Sequence, residues 1–189
     1  MINKKALISL FIAFIMVFSI FGFIVDFAIN PSNSVKYGKY KFKQVGDRWE
    51  VKYNGEKIKL YSTPQELENI ELSNEIKSRL KNTKHIYLTY DVEDPKADVI
   101  GQIIYHTQQL ISQATDINIE RGLVDPKEYS LPKINCTNAD VSTTVILVKD
   151  LNETKIFMEN NCIIFGSTYE FDYLRYAERL IYTILGIME

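Results

Sequence analysis

Four hydrophobic patterns follow one another along the chain. From Ala6 to Val25 there is no charged residue, and about 20 apolar residues are what a helix needs to cross a bilayer. From Tyr40 to Tyr61 apolar and polar residues alternate, which is the period of a half-buried strand. Between Asp94 and Thr115, Val99, Ile100, Ile103, Ile104, Leu110 and Ile111 recur at helical spacing. Short apolar runs then mark strands at "STTVILVKD", "TKIFME" and "CIIFG", and a helical stripe closes the chain from about Thr168 to Ile187.

Within the alternating segment the register can be counted. Asn54-Gly55 in "RWEVKYNGEKIKLY" is a two-residue hairpin turn in which both residues need positive φ. Pairing outward sets Tyr53 opposite Glu56, Val51 opposite Ile58 and Trp49 opposite Leu60. Lys52 faces Lys57 and Glu50 faces Lys59 on the solvated side. Tyr40 and Phe42 belong to a preceding strand. "TPQELENI" opens with Thr63 as N-cap, Pro64 next and Glu66 closing a capping box, and "SNEIKSRLKN" repeats the signal. "KHIYLTYD" reads as a strand leading into a helix capped by Asp94 with Pro95 behind it, and "INIERG" as one further strand. Ser167 and Glu170 form a capping box for the last helix.

These elements predict an α+β chain: an N-terminal transmembrane helix followed by one domain with a mostly antiparallel twisted sheet and helices mainly on one face. Residues 1–29 are the cytoplasmic tail and signal anchor, 30–36 a linker, and 37–189 the domain, with a β-meander at 37–61 and an α/β remainder at 62–189. The uncharged run is longer than the roughly 7–15 residues of a cleavable signal and is followed by no good small-x-small site, so the anchor is expected to remain. Lys4 and Lys5 hold the N-terminus in the cytoplasm, against Lys36, Lys39, Lys41 and Lys43 on the far flank. The distal lysines belong to a folded strand, so the domain is expected outside the cell membrane.

Composition changes this picture little. The formal charge is −2 with acid and base interspersed along the chain, which argues against a nucleic-acid partner. Cys136 and Cys162 are the only cysteines; an even pair in an exported domain predicts one disulfide, the other reading being two unpaired thiols, Cys162 in a strand and Cys136 in a loop. Asn135 and Asn152 head glycosylation triplets, but 13 asparagines and 22 serines plus threonines in 189 residues predict about 1.5 by chance. Two cysteines and two histidines at unrelated spacings do not make a zinc site. Nor is there a phosphate-binding glycine motif or a nucleophile elbow, so no cofactor and no catalytic residue is implied.

Two clusters carry candidate chemistry. Asp91, Glu93, Asp94 and Asp98 gather between a strand end and a helix start, where α/β sheets bind ligands; they could hold Ca²⁺ or Mg²⁺ or act as an acid/base pair, or simply cap the helix. On the last helix, Tyr169, Tyr173, Tyr176 and Leu180 form an edge beside a stripe of Phe171, Leu174, Ala177, Ile181, Ile184 and Leu185. The edge is either core or a protein-binding surface.

"NCIIFGS" (161–167), "ERLIYTILGIME" (178–189) and "IYLTYD" (86–91), taken with the anchor, resemble small single-pass membrane proteins of archaea of unassigned function. The resemblance covers scattered segments without a chemical motif; it implies compartment and fold and adds weight to the glycosylation triplets. The expected function is a non-enzymatic, membrane-anchored extracytoplasmic module that binds or assembles with an envelope protein. The alternatives are a cation-binding or hydrolytic domain built on the Asp91 to Asp98 cluster, and a pilin-like filament subunit, although no glutamate stands early in the apolar run.

Overall fold

The structure is a computed structural model, and it describes residues 11–18 and 33–189. Residues 11–18 are helical (α1). The remainder of the expected anchor lies outside the described residues, among which no helix is long and apolar enough to cross a membrane.

The domain holds two sheets rather than one. The first is the meander β1 (Ser34–Tyr37), β2 (Tyr40–Val45), β3 (Arg48–Tyr53) and β4 (Glu56–Leu60), ordered β1-β2-β3-β4. Its hairpin register is the one counted from the sequence: Trp49 with Leu60, Val51 with Ile58, Tyr53 with Glu56. Asn54 and Gly55 turn the chain at φ 48° and 95°. A 3₁₀ turn at Pro64–Leu67, closed by the Thr63 and Glu66 capping box, and helix α2 (Asn74–Asn82), capped by Ser73, lead to the second sheet.

That sheet is ordered β6-β5-β7-β9-β8, from β5 (His85–Tyr90), β6 (Asn118–Leu123), β7 (Thr143–Asp150), β8 (Lys155–Glu159) and β9 (Cys162–Ser167). Only β8 and β9 pair antiparallel; β5 with β6, β5 with β7 and β7 with β9 are parallel. The expectation of one mostly antiparallel sheet therefore holds for the meander and the β8–β9 hairpin and fails for the centre. The reason is burial on both faces: all six residues of β9 are buried, and strands covered on both sides are typical of parallel sheets.

Helices α3 (Ala97–Ala114) and α4 (Glu170–Ile184) lie between the two sheets. One core joins Phe42, Val51, Ile58 and Leu60 of the meander to Ile86, Leu88, Ile146, Val148, Ile163 and Phe165 of the second sheet through Ile100, Ile104, Ile111, Leu180 and Ile181. α4 thus has a sheet on each side, which explains its two apolar stripes. Tyr182 meets Phe42 edge-on at 5.9 Å and its hydroxyl donates to Ser62 O at 2.6 Å, whereas Tyr173 packs on Phe165 at 5.6 Å.

Among the described residues the opposite face of the second sheet carries no α-helix. It is covered by the loop after β6, where Ile134, Cys136 and Ala139 pack over Val145, Leu147, Cys162 and Ile164. Cys136 is bonded to Cys162 as expected, with the Cα atoms 5.2 Å apart. The bond closes a span of 26 residues and stabilises the fold by about 3.5 kcal/mol in the chain-entropy picture.

Candidate functional site

Because β5, β7 and β9 run parallel, their carboxyl ends at Tyr90, Asp150 and Ser167 share one edge. A closed polar network fills most of it. Asp94 accepts from Lys96 N at 2.9 Å and from Asp150 N at 2.6 Å. Lys96 Nζ reaches Asp150 Oδ1 at 2.5 Å, Ser167 O at 3.0 Å and Thr168 O at 2.9 Å. Tyr173 donates to Ser167 O at 2.8 Å, and burial pushes its pKa up to about 12.

This network redistributes the acidic cluster. Asp94 does not cap α3, which starts later, at Ala97, with Lys96 in the cap position; its carboxylate ties the loop to the end of β7 instead. Asp91 accepts from Glu93 N at 2.9 Å, Glu93 pairs with Lys127, and Asp98 turns into a separate cleft. Among the described residues no three His, Cys, Asp or Glu side chains could hold a metal ion together, which tells against the cation-binding alternative: Asp91, Glu93 and Asp94 turn to three different partners and Asp98 to the cleft.

Of the two readings of the α4 tyrosine edge, burial favours the core. Tyr173 and Leu180 are 0% and 3% exposed and Tyr176 is half-buried, stacked on Phe165 at 5.7 Å; of the four only Tyr169, at 70%, faces solvent. Two layers of sheet enclose the helix and take up the edge. Ser167 does not form the expected box with Glu170; it accepts from Tyr169 N at 2.9 Å and bonds Asp172 at 3.1 Å. Asn152 stands exposed between β7 and β8, and Asn135 Oδ1 is held by Thr137 N at 2.9 Å. The first triplet opens a 3₁₀ turn at Cys136–Asn138, and the second lies in the loop between β7 and β8.

What remains open is a cleft of about 520 Å³ beside the network, lined by Tyr90, Val92, Ala97, Asp98, Gly101, Gln102, Tyr105 and Tyr129. Three elements build it: the end of β5, the first turns of α3 and the loop after β6. Asp98, Gln102 and Tyr105 share one helix face by their i, i+4, i+7 spacing. The Tyr90 ring lies over Gly101, where a Cβ would stand 2.8 Å from its hydroxyl. Burial, with Tyr129 adding to it, pushes the Tyr90 pKa above its ordinary value. Arg121 of β6 stacks on Tyr105 at 4.9 Å, its Nε buried without a partner among the described residues. The side chains of Asp98 and Gln102 and the hydroxyls of the three tyrosines make no hydrogen bond within the described protein. Polar groups and rings lining an open cleft at the carboxyl ends of parallel strands make it the candidate site.

Of the cleft residues only Asp98 stood out in the sequence. The others could have been found from "DVIGQIIY", which places an acid, an amide and a ring on the face of α3 opposite its apolar stripe. Tyr90 and Tyr129 arrive from outside that helix and carry no such signal. Comparison with known proteins finds no match: no family model, curated protein or solved structure aligns with the chain.

Proposed function

We propose that the chain is a membrane-tethered, extracytoplasmic binding module of the cell envelope, non-enzymatic, which engages a protein partner through the Tyr90, Tyr105 and Tyr129 cleft. The observation that carries the reading is the cleft itself, whose polar side chains have no partner within the described residues. Three rings and a single carboxylate supply contact area and orientation. They favour a positively charged or aromatic group on the partner, because tyrosine faces attract cations and Asp98 adds a full negative charge. The tether is supported by the uncharged run from Ala6 to Val25, and export by the Cys136–Cys162 bond, since disulfides persist in oxidising compartments.

Purification of the full chain from its own membrane in mild detergent tests this. A stoichiometric partner is expected with the wild type. It should be lost from Asp98→Asn and from the Tyr105→Ala, Tyr129→Ala pair while the melting temperature stays the same. Aromatic anchors of this kind each contribute roughly 2 kcal/mol or more to binding. Retention of the partner by both variants, or a wild type that purifies alone, contradicts the reading.

A further inference from the structure

The outer face of the meander carries a charge distribution that the chain's overall −2 conceals. Phe42, Val51, Ile58 and Leu60 point into the core, so strand alternation turns the intervening residues outward. Those are Lys41 and Lys43 on β2, Glu50 and Lys52 on β3, and Lys57 and Lys59 on β4; Lys36 joins them from β1, whose Val35 and Tyr37 pack inward. The register sets Lys43 beside Glu50 and Glu50 beside Lys59, and puts Lys52 directly opposite Lys57. Six lysines therefore share one sheet face with a single carboxylate, already paired with Lys57 at 2.9 Å.

Like charges opposite one another weaken a sheet, and Glu50 is the one carboxylate on this face that offsets the Lys52–Lys57 pair. The positive field is felt locally: the Lys57 hydrogen bond and charge, together with Lys59 and Lys43, hold the Glu50 carboxyl below its ordinary pKa. Charges that are interspersed along the chain are thus segregated on this face by the strand register. The outer face has no aromatic side chain on which a base could stack, and lysines act as compact point charges rather than bidentate forks. Such a face suits a plane of phosphates. Lys36 also follows the uncharged run ending at Val25 by only eleven residues, and an apolar anchor with a polybasic patch is a paired membrane signal.

We propose that the outer face of the β1–β4 sheet docks on anionic lipid headgroups, laying the domain against the bilayer that its own N-terminal segment enters. The choice of surface rests on the tether proposed above; the face itself does not. Each lysine brought to an anionic surface strengthens binding about fivefold, and the effect fades within a Debye length as salt rises.

The test reconstitutes the full chain with vesicles of phosphatidylcholine alone or mixed with phosphatidylglycerol, and reads lysine acetylation by mass spectrometry. In the mixed vesicles the six face lysines are expected to be protected several-fold at low salt and to regain reactivity at high salt. Lys77, Lys81, Lys127 and Lys133, elsewhere on the domain, serve as references and should not change. The Lys52→Gln, Lys57→Gln pair should weaken the salt-sensitive association about 25-fold. Flotation with phosphatidylcholine reports the tether separately. A chain that floats only with the anionic mixture, in a salt-sensitive way, removes the tether and supports the face. Flotation with both vesicles and equal acetylation in both overturns the proposal, as does stronger protection by single-stranded DNA than by anionic vesicles.

Discussion

Glu178 offers the most quantitative check on the fold. It lies on α4, fully buried, and both carboxylate oxygens accept from the main chain just beyond β4: Oε1 from Tyr61 N at 2.6 Å and Oε2 from Ser62 N at 2.9 Å. Those bonds fasten the meander to the central helix. Burial nevertheless dominates and pushes the pKa up to about 7 from an ordinary 4.5, the two donors opposing it. A folded-state pKa above the unfolded value means that the native state binds the proton more tightly. Its contribution is therefore fully present below about pH 4.5 and is lost as pH rises through 7, a change of about 3 kcal/mol at 1.36 kcal/mol per unit. Glu178→Gln abolishes this titration. Its amide accepts from one N–H but turns its own N–H₂ toward the other, a cost of roughly 1–3 kcal/mol at every pH. Urea unfolding of both proteins at pH 5 and pH 8 isolates the effect, because the two differ only at position 178. The wild type should be the more stable at pH 5 and should lose that advantage at pH 8. A difference between the two that stays constant, or grows in favour of the wild type toward pH 8, refutes the reasoning.

Three further outcomes are expected. Replacing Cys136 and Cys162 together by alanine should cost about 3.5 kcal/mol from the 26-residue span, read as a lower denaturant midpoint, with faster hydrogen exchange in the loop after β6. Tyr173→Ala should cost about 3–5 kcal/mol and Tyr173→Phe about 1 kcal/mol for the hydroxyl bond to Ser167 O, while Tyr169→Ala, at a 70% exposed ring, stays within about 0.5 kcal/mol; thermal melts of the three separate core from surface. Asp94→Ala removes the acceptor shared by Lys96 N and Asp150 N. It should lower stability by about 1–3 kcal/mol and raise exchange at residues 91–97.

Local rules carried the sequence reading a long way where the chain decides its own geometry. Asn54-Gly55 fixed the meander register to the residue, Thr63 and Ser73 marked their helical starts, and the stripe of α3 gave its buried face. The failures share one cause, which is that distant elements set the outcome. "VILV" and "CIIF" are unbroken apolar runs, and such runs signal strands covered on both faces; hairpin spacing suggested antiparallel neighbours, yet only β8 and β9 pair that way. Asp94 had the spacing of a cap, but the end of β7 offered its main-chain N–H and took the carboxylate. The tyrosines of α4 stood open between core and surface in the sequence, and the contacts with Phe165 decide for the core at Tyr173 and Tyr176. The site was legible only through Asp98, since Tyr90 comes from the end of β5 and Tyr129 from the loop after β6, and only folding brings them to the α3 face. The basic face was visible residue by residue in the hairpin register and was hidden by the net charge.

An exported domain stapled by its one disulfide is the claim on which compartment, partner and lipid surface all depend. The most direct measurement is thiol alkylation of the full chain, denatured straight from intact cells in the presence of a maleimide and weighed by mass spectrometry. Without reductant no maleimide is expected on Cys136 or Cys162, and two are expected after reduction. Two maleimides on the unreduced protein would contradict the claim.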